Sequence, residues 1–287
     1  MNISKKSEED ITKKTKHFYT DYPFPNYDIS TQESFKQYCL KHTWYLRTIP
    51  LAYIKESKNK TLLDCGGGTG ENSCMFASLG FDVTGFDISP SSVRKAKQNA
   101  KNLDLKISYF EADILNLSLN EKFDIVFCMG VIQHTQDPIR AFKKISKYIK
   151  PGGILVIGTY NLYGSLMGRI FQREKLRLFF GNKVKEKIKY LMKKDRNLAS
   201  LPNARELILD GTDNPKESFF TIGKILQMFK DEGLKPCLAS PPIIIKDYFR
   251  NNKISNTYSS RLDRFFVQLV WTLAKKDFFT ISGIKSI

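Results

Sequence analysis

Short apolar runs alternate with amphipathic stretches from residue 61 onward, and this alternation is the main pattern in the chain. The apolar runs predict strands at residues 61–65, 81–87, 107–113, 123–130 and 154–160. Apolar positions at helical spacing between them predict helices at residues 71–80, 89–103 and 137–150. Such an alternation predicts an α/β fold, with a mostly parallel sheet and helices on both of its faces.

The alternation breaks after the fifth predicted strand. Residues 161–215 lack strand-like runs and carry a dense cationic stretch, so they predict a helical insertion. The pattern then resumes with a helix at 218–233, a strand at 234–240, a helix at 259–276 and a last strand at 277–285. We therefore divide the chain into an N-terminal extension and cap, residues 1–60, and a sheet domain, residues 61–287, which contains the insertion.

The N-terminal extension has no strand pattern. Its first residues are polar and predict a frayed segment. Residues 35–57 predict helix, interrupted at Pro50. Between these parts lies an aromatic strap, residues 18–27, in which most positions are aromatic or proline. The strap is predicted either to cover a ligand or to pack as an apolar plug on the sheet.

Basic residues outnumber acidic ones, 46 to 29, which gives a formal net charge of +17. Such an excess attracts nucleic acid, anionic lipid or phosphorylated substrates, although solvated lysine-rich helix faces produce the same balance. No apolar run of about 18 or more residues and no signal-like N-terminus is present, which predicts a cytoplasmic location. The five cysteines and three histidines are scattered, so no metal site is expected.

The strongest chemical signal is a glycine-rich loop after the first predicted strand. Glycines at positions 66, 68 and 70 let the backbone turn sharply and let a ligand lie against it, at the start of a helix with free N–H groups. No GK[ST] sequence follows, and Glu71 occupies the position where dinucleotide-binding loops have their last glycine. Together with Asp64 at the end of the strand, these features favour a positively charged amino-acid cofactor over a pyrophosphate.

Two further carboxylates follow the second and third predicted strands. Asp87 can accept hydrogen bonds from both hydroxyls of a ribose, or it can cap the helix that follows. Asp113 can accept from an adenine amino group with Ile114 against the ring, or it can serve an ordinary turn. Because the carboxyl ends of parallel strands share one edge of a sheet, we expect Asp64, Asp87 and Asp113 to border the same cleft.

These segments resemble the motifs of class I S-adenosylmethionine-dependent methyltransferases. LLDCGGGTGEN is similar to their glycine-rich motif, GFDIS to their ribose-binding motif and FEADI to their adenine-binding motif. GVIQHTQDP is similar to the corresponding stretch of methyltransferases of ubiquinone and menaquinone biosynthesis. The resemblance covers residues 60–160 well and 216–287 loosely.

This resemblance implies a Rossmann-like, seven-stranded sheet whose last strand is antiparallel. It implies S-adenosylmethionine as the cofactor. It also implies cofactor contacts from the following residues: Asp64, Gly66, Gly68, Gly70, Asp87, Ile88, Asp113, Ile114 and Met129.

Methyl transfer needs alignment of donor and acceptor, and some acceptors also need a base. His134 follows the fourth predicted strand and can serve as that base or contact the acceptor, or it can be a structural loop residue. If the aromatic strap covers the cofactor, Tyr19 or Tyr22 is expected near the sulfonium. Residues 210–215 are expected to border the acceptor pocket.

The leading functional prediction is methyl transfer to O, N or C of a small-molecule, quinone-type or lipid-type acceptor. The alternatives are a tRNA or rRNA methyltransferase, which the basic charge favours, and a non-catalytic partner protein that binds the cofactor. Residues 161–196 mix apolar and basic side chains, which suits contact with an anionic membrane or, equally, a solvated lid.

Overall fold

The computed structural model describes residues 2–250, 252, 254–257 and 259–287. Within these residues the strands are β1 (Thr61–Cys65), β2 (Asp82–Asp87), β3 (Ile107–Glu111), β4 (Phe123–Met129), β5 (Ile149–Tyr160), β6 (Leu234–Ser240), β7 (Ser255–Asn256) and β8 (Phe278–Lys285). They form one sheet with the order β3-β2-β1-β4-β5-β8-β6-β7.

The sheet is parallel from β3 to β5, and β8 pairs antiparallel with both β5 and β6. The predicted mostly parallel sheet with an antiparallel last strand is therefore confirmed. The described residues add an eighth strand, the two-residue β7, which pairs with β6 at the edge of the sheet. So short a strand leaves no periodic pattern, and the sequence therefore did not predict it.

The α-helices of the described residues are α1 (Asn2–Asp21), α2 (Gln32–His42), α3 (Leu51–Lys55), α4 (Glu71–Ser78), α5 (Pro90–Asn102), α6 (Pro138–Ser146), α7 (Leu162–Ser165), α8 (Phe171–Phe180), α9 (Val184–Lys194), α10 (Arg196–Ala199), α11 (Ala204–Thr212), α12 (Ile222–Asp231), α13 (Ile245–Phe249) and α14 (Arg261–Leu273). A π-helical turn, Leu166–Ile170, joins α7 to α8. The segment between β5 and α12 is thus helical, as the sequence predicted.

The central strands are buried on both faces because helices cover each side of the sheet. Successive residues of a strand point to opposite faces. Leu62 and Ile125 accordingly belong to one apolar core, which includes residues of α2 and α4. Leu63 and Val126 belong to the other core, which includes residues of α6, α12 and α14.

Two predicted elements differ from the structure. The first residues were expected to fray, whereas α1 is a continuous helix that is tied to the rest of the chain by contacts such as the ion pair between Lys16 and Glu111. The helix expected at 137–150 ends at Ser146, because Ile149 instead pairs with Phe123 at the start of β5. Long-range pairing thus overrides a helical pattern at this point.

The start of α5 and the end of α4, in contrast, agree with the sequence signals next to them. Ser89 caps α5 by accepting from the Ser92 N–H, and Pro90 occupies the first helical position. Gly80, which follows the end of α4, has a φ of 98°. None of the helices in the described ranges is long and apolar enough to cross a membrane.

Candidate functional site

A cavity of about 410 Å³ lies at the carboxyl ends of β1 to β5. Most of the predicted site residues line it, namely Asp64, Gly66, Gly68, Asp87, Ile88, Asp113, Ile114, Met129 and His134. Gly70 and Tyr22 are not among its lining residues. The three carboxylates that the sequence placed at successive strand ends thus meet at one cavity.

The glycine-rich loop follows β1 and leads into α4. Gly68 has a φ of 56°, and a Cβ there would come within 2.1 Å of the Phe24 carbonyl oxygen, so the aromatic strap lies directly on the loop. Gly70 has a φ of 86°, and a Cβ there would come within 2.7 Å of the Ala96 Cβ. Gly70 therefore permits close packing of the start of α4 against α5 and does not face the cavity.

Asp64 is almost fully buried at the end of β1. Its carboxylate accepts a 2.5 Å hydrogen bond from the Ser73 hydroxyl. Burial, with a smaller contribution from the nearby Asp87 charge, raises the pKa of the Asp64 carboxyl to about 7. A buried carboxylate is costly unless it is paired with a cation. A positively charged ligand in the cavity would supply such a partner.

Asp87 holds the glycine-rich loop against the start of α5. One carboxylate oxygen accepts from the Gly68 N–H at 3.0 Å, and the other accepts from the Ser89 N–H at 2.8 Å. Burial raises the pKa of the Asp87 carboxyl to about 6. Each oxygen can accept more than one hydrogen bond, so both oxygens can also receive ribose hydroxyls. The helix cap itself is Ser89.

Asp113 lies in a turn and also lines the cavity. Its carboxylate accepts from the Leu115 N–H at 3.0 Å and from the Asn116 side-chain amide at 2.7 Å. The next residue, Ile114, is buried and presents an apolar surface to the same cavity. The turn role and the ligand role that the sequence left open are therefore compatible.

Helix α1 contributes Tyr19, which the sequence had offered, together with Thr12 and Thr15, which sequence reasoning missed. Thr12, Thr15 and Tyr19 line the cavity and share one helix face through spacings of three and four residues. Thr12 donates to the Gln136 side chain at 3.1 Å. Thr15 is buried, and its hydroxyl has no hydrogen-bond partner among the described residues. The helical spacing of these polar residues was the available signal, but a polar N-terminus was interpreted as frayed.

The aromatic strap crosses the glycine-rich loop. The Phe24 carbonyl accepts from the Thr69 N–H at 3.2 Å, and Phe24, Pro25 and Tyr27 line the cavity. Asn203, just before α11, donates to the Pro25 carbonyl at 2.7 Å. The strap is therefore held between the loop and the helical insertion.

Glu71 is a further residue that the sequence did not single out for binding. Its buried carboxylate accepts from the Thr69 hydroxyl at 2.7 Å and from the Tyr27 N–H at 2.8 Å. Burial raises the pKa of the Glu71 carboxyl to about 7. Glu71 thus fastens the strap to the first turn of α4.

Tyr22 lies on the outer side of the strap. The Arg205 guanidinium lies 5.5 Å from the centre of its ring, and Phe18 packs against it at 5.6 Å. Its neighbour Tyr19 faces the cavity instead. Of the two tyrosines that the sequence left as alternatives, Tyr19 therefore lines the cavity and Tyr22 does not.

His134 lines a part of the cavity, called the His134 end below, that is walled by the rings of Tyr19 and Tyr160. Its Nδ1 lies 2.7 Å from the Lys216 carbonyl oxygen. Since a carbonyl only accepts, Nδ1 carries the proton in the neutral ring, and Nε2 is left as an acceptor. The ring contacts those of Tyr19 and Tyr160 at centroid distances of 6.2 and 5.6 Å.

A polar cluster surrounds Asp210 beside this histidine. The Asp210 carboxylate accepts from the Tyr19 hydroxyl at 2.8 Å, the Asn214 amide at 3.1 Å and the Tyr160 hydroxyl at 3.3 Å. Burial raises the pKa of both tyrosines well above the usual range, and the nearby Asp210 charge adds to this. Both phenols therefore remain protonated donors that fix the carboxylate.

Arg169, in the π-helical turn, completes this end of the cavity. Its guanidinium lies 4.0 Å from the centre of the Tyr160 ring and pairs with Glu217 at 2.6 Å. Asp277 and Phe278, which follow α14, line the same region. This end thus combines aromatic surface with a few charged groups, whereas the loop end presents backbone and carboxylates.

A family model described as a methyltransferase domain matches residues 56–207, slightly more than half of the chain. The ubiquinone biosynthesis O-methyltransferase of Coxiella burnetii is 37% identical over 126 residues, which cover 42% of this chain and 54% of that protein. The chain thus spans about half the length of the curated relatives it matches.

Solved structures share the fold. Magnesium protoporphyrin IX methyltransferase from Synechocystis PCC 6803, solved with bound SAH, has a TM-score of 0.52 at 14% identity and covers 99% of this chain and 98% of its own. PKMT2 from Rickettsia typhi, in complex with AdoHcy, has a TM-score of 0.58 at 16% identity and covers 85% and 54%. Identities this low show a common fold alone.

Proposed function

Because the chain belongs to the class I S-adenosylmethionine-dependent methyltransferases, we propose that it transfers a methyl group to a small-molecule acceptor of quinone or lipid type. The observation that carries this proposal is the convergence of Asp64, Asp87 and Asp113 with the glycine-rich loop at one end of a single cavity. The aromatic end around His134 provides room for an acceptor.

The residues present fit S-adenosylmethionine. The buried Asp64 carboxylate is suited to a cationic amino-acid moiety, Asp87 to the ribose hydroxyls, and Asp113 with Ile114 to adenine. The unpartnered Thr15 hydroxyl offers one more hydrogen bond from the side of α1. When bound, S-adenosylmethionine supplies an activated methyl group on a positively charged sulfur.

The protein's own contribution is alignment and proton removal. The strap and α1 cover the cavity, which excludes water and restricts the approach of the acceptor. We propose His134 Nε2 as the group that accepts a proton from the acceptor, because the Nδ1 contact with the Lys216 carbonyl leaves Nε2 as the unprotonated nitrogen. The Tyr19–Asp210–Tyr160 cluster holds the neighbouring wall rigid.

The acceptor class rests on two kinds of support. The cavity wall at the His134 end includes Trp44, Tyr160 and Phe278, which suit a planar or apolar compound. Curated relatives that match this chain include ubiquinone biosynthesis O-methyltransferases. We infer that the basic residues 161–196 lie in peripheral contact with an anionic membrane that holds the acceptor. These curated relatives support neither an RNA acceptor nor a non-catalytic role.

Incubation of the purified protein with methyl-labelled S-adenosylmethionine and fractionated cell extract tests this function. We expect the label to enter the organic-solvent fraction, and boiled protein serves as the control. Label that enters only RNA or only protein would contradict the acceptor class. Tight cofactor binding by calorimetry without label transfer to any fraction would favour the non-catalytic alternative.

A further inference from the structure

Helix α14 presents a second apolar stripe that faces solvent. Val267 and Trp271 are fully buried and pack α14 onto the sheet. On the opposite side, five large apolar side chains are between 44% and 77% exposed: Leu262, Phe265, Phe266, Leu269 and Leu273. Their spacing of three or four residues places them on one narrow face of the helix. A helix on a folded protein normally exposes a polar face, so this stripe needs another explanation.

The helical insertion extends this apolar surface. Helix α14 packs against α7 and against the π-helical turn. Leu166 in that turn is 44% exposed, and Phe171 at the start of α8 is 67% exposed. The surface formed by these two side chains and the α14 stripe is called the α14 face below.

Basic side chains border the α14 face. Arg261 at the first turn of α14 and Lys275 and Lys276 just after its end are exposed. The chain as a whole carries +17. Two copies joined through this face would bring like charges together, whereas an anionic lipid surface complements both the apolar stripe and its rim.

The α14 face adjoins the acceptor end of the cavity. Asp277 and Phe278, which follow directly after α14, line the cavity, and so does Arg169 of the π-helical turn. An apolar acceptor dissolved in a membrane would therefore have a short path from the lipid to the His134 end.

We propose that the α14 face binds the surface of an anionic phospholipid membrane, with α14 lying in the plane of the interface. This proposal rests on the proposed function for its purpose, which is access to an acceptor dissolved in the membrane. Membrane binding itself is measured independently of methyl transfer. In this arrangement the five stripe residues enter the acyl boundary, while Arg261 and Lys276 contact lipid phosphates.

Vesicle flotation with the 287-residue chain tests the proposal. We expect the wild type to float with vesicles of mixed phosphatidylcholine and phosphatidylglycerol, and to bind much less to phosphatidylcholine alone. Leu269→Glu places a charge in the stripe and should lower the bound-to-free ratio by about tenfold or more. Leu40→Glu is the matched control, because Leu40 is 62% exposed on α2, which packs on the opposite face of the sheet.

The basic residues that border the α14 face are tested separately by the double variant Arg261→Gln/Lys276→Gln. We expect weaker binding to the anionic vesicles and a smaller dependence on salt concentration, because two lipid-facing charges are removed. Calorimetry with S-adenosylmethionine accompanies every variant. Unchanged affinity in Leu269→Glu shows that the fold and the cofactor site are intact.

The outcomes are distinguishable. A wild type that stays unbound to anionic vesicles, or equal losses in Leu269→Glu and Leu40→Glu, would overturn the membrane proposal. If light scattering shows a dimer that Leu269→Glu converts to a monomer, the α14 face is an interface between copies and the proposal is wrong. Failure of the wild type to bind S-adenosylmethionine would instead overturn the proposed function and leave the vesicle result standing.

Discussion

At the scale of single residues, the site depends on buried carboxylates and unpaired hydrogen-bonding groups. Asp64 and Asp87 are buried and have raised pKa values, and both line the cavity. Thr15 also lines the cavity, and its buried hydroxyl has no hydrogen-bond partner among the described residues. A ligand that is cationic near the carboxylates and polar near α1 would stabilise each of these groups by supplying the partner that it lacks.

Removal of the Thr15 hydroxyl should weaken cofactor binding. Thr15→Val keeps the shape of the side chain and removes one hydrogen-bonding group, so we expect the Kd for S-adenosylmethionine to rise about 2- to 10-fold. Thr20→Val on the same helix is the control, since the Thr20 hydroxyl donates to the Lys16 carbonyl. Equal affinities of Thr15→Val and wild type by calorimetry would show that α1 makes no polar contact with the cofactor.

Cofactor affinity should fall as the pH is lowered from about 8 to about 6. The Asp64 carboxyl has a pKa of about 7 in the free protein, and a cationic ligand binds its ionised form. At one pH unit below that pKa, about a tenth of the carboxyl is ionised, so the Kd should rise about tenfold. Asp64→Asn should bind weakly at every pH and lose most of this dependence.

The same pKa has the opposite effect on the stability of the free protein. Because the folded state holds the Asp64 proton more tightly than the unfolded chain, this residue's contribution to the free energy of unfolding is fully present below a pH of about 4 and declines as the pH rises through about 7. A cofactor affinity that increases toward low pH would contradict the role assigned to Asp64.

His134 should affect turnover more than cofactor binding. If Nε2 removes the acceptor proton, His134→Gln should lower the rate of label transfer by about 10²- to 10⁴-fold while the Kd for S-adenosylmethionine stays unchanged. A variant with normal turnover and a reduced Tm would show that His134 is a structural loop residue.

At the scale of elements, the cavity is closed by segments that pack across the strand ends. The strap crosses the glycine-rich loop, and the helical insertion holds the strap through Asn203. Helix α1 reaches the insertion through the Tyr19–Asp210 hydrogen bond. These covering segments meet through side-chain hydrogen bonds, which must break and re-form if the segments act as a lid that admits and releases ligand.

Loss of the Asn203 contact should loosen this lid. Asn203→Ala removes the hydrogen bond to the Pro25 carbonyl, so we expect the dissociation rate of S-adenosylmethionine to rise several-fold with little change in the association rate. Asn197→Ala, at an exposed position of α10, is the matched control. Stopped-flow measurement of both rates tests this prediction. An unchanged dissociation rate would show that the insertion does not hold the strap closed.

At the scale of the whole molecule, one sheet with apolar cores on both faces supports a site along a single edge. The two cores fix β1, β2 and β4 in register, and the register brings the strand ends together. Ligand binding at this edge should therefore stabilise the whole fold.

Thermal unfolding offers a test of cofactor identity. With S-adenosylmethionine at 100 times its Kd, the free energy of unfolding should rise by about 2.7 kcal/mol, and the Tm should rise accordingly. A nicotinamide dinucleotide at the same concentration should leave the Tm unchanged, because Glu71 replaces the last glycine of the dinucleotide motif. A larger shift with the dinucleotide would contradict the cofactor assignment.

The sequence by itself determined the sheet and one end of the cavity. Apolar periodicity is local, so the strands and the capping of α5 by Ser89 could be predicted from neighbouring residues. The positions of Asp64, Asp87 and Asp113 followed from a general rule, that parallel strands bring their carboxyl ends to one edge.

Only the tertiary structure decided how the His134 end of the cavity is built. Tyr19 and Asp210 are separated by 191 residues in sequence, and Asn203 and Pro25 by 178. Contacts over such separations leave no local pattern, because each residue looks like an ordinary polar position within its own segment. For the same reason, the outward stripe of α14 becomes recognisable only once Val267 and Trp271 are seen to be the buried side of that helix.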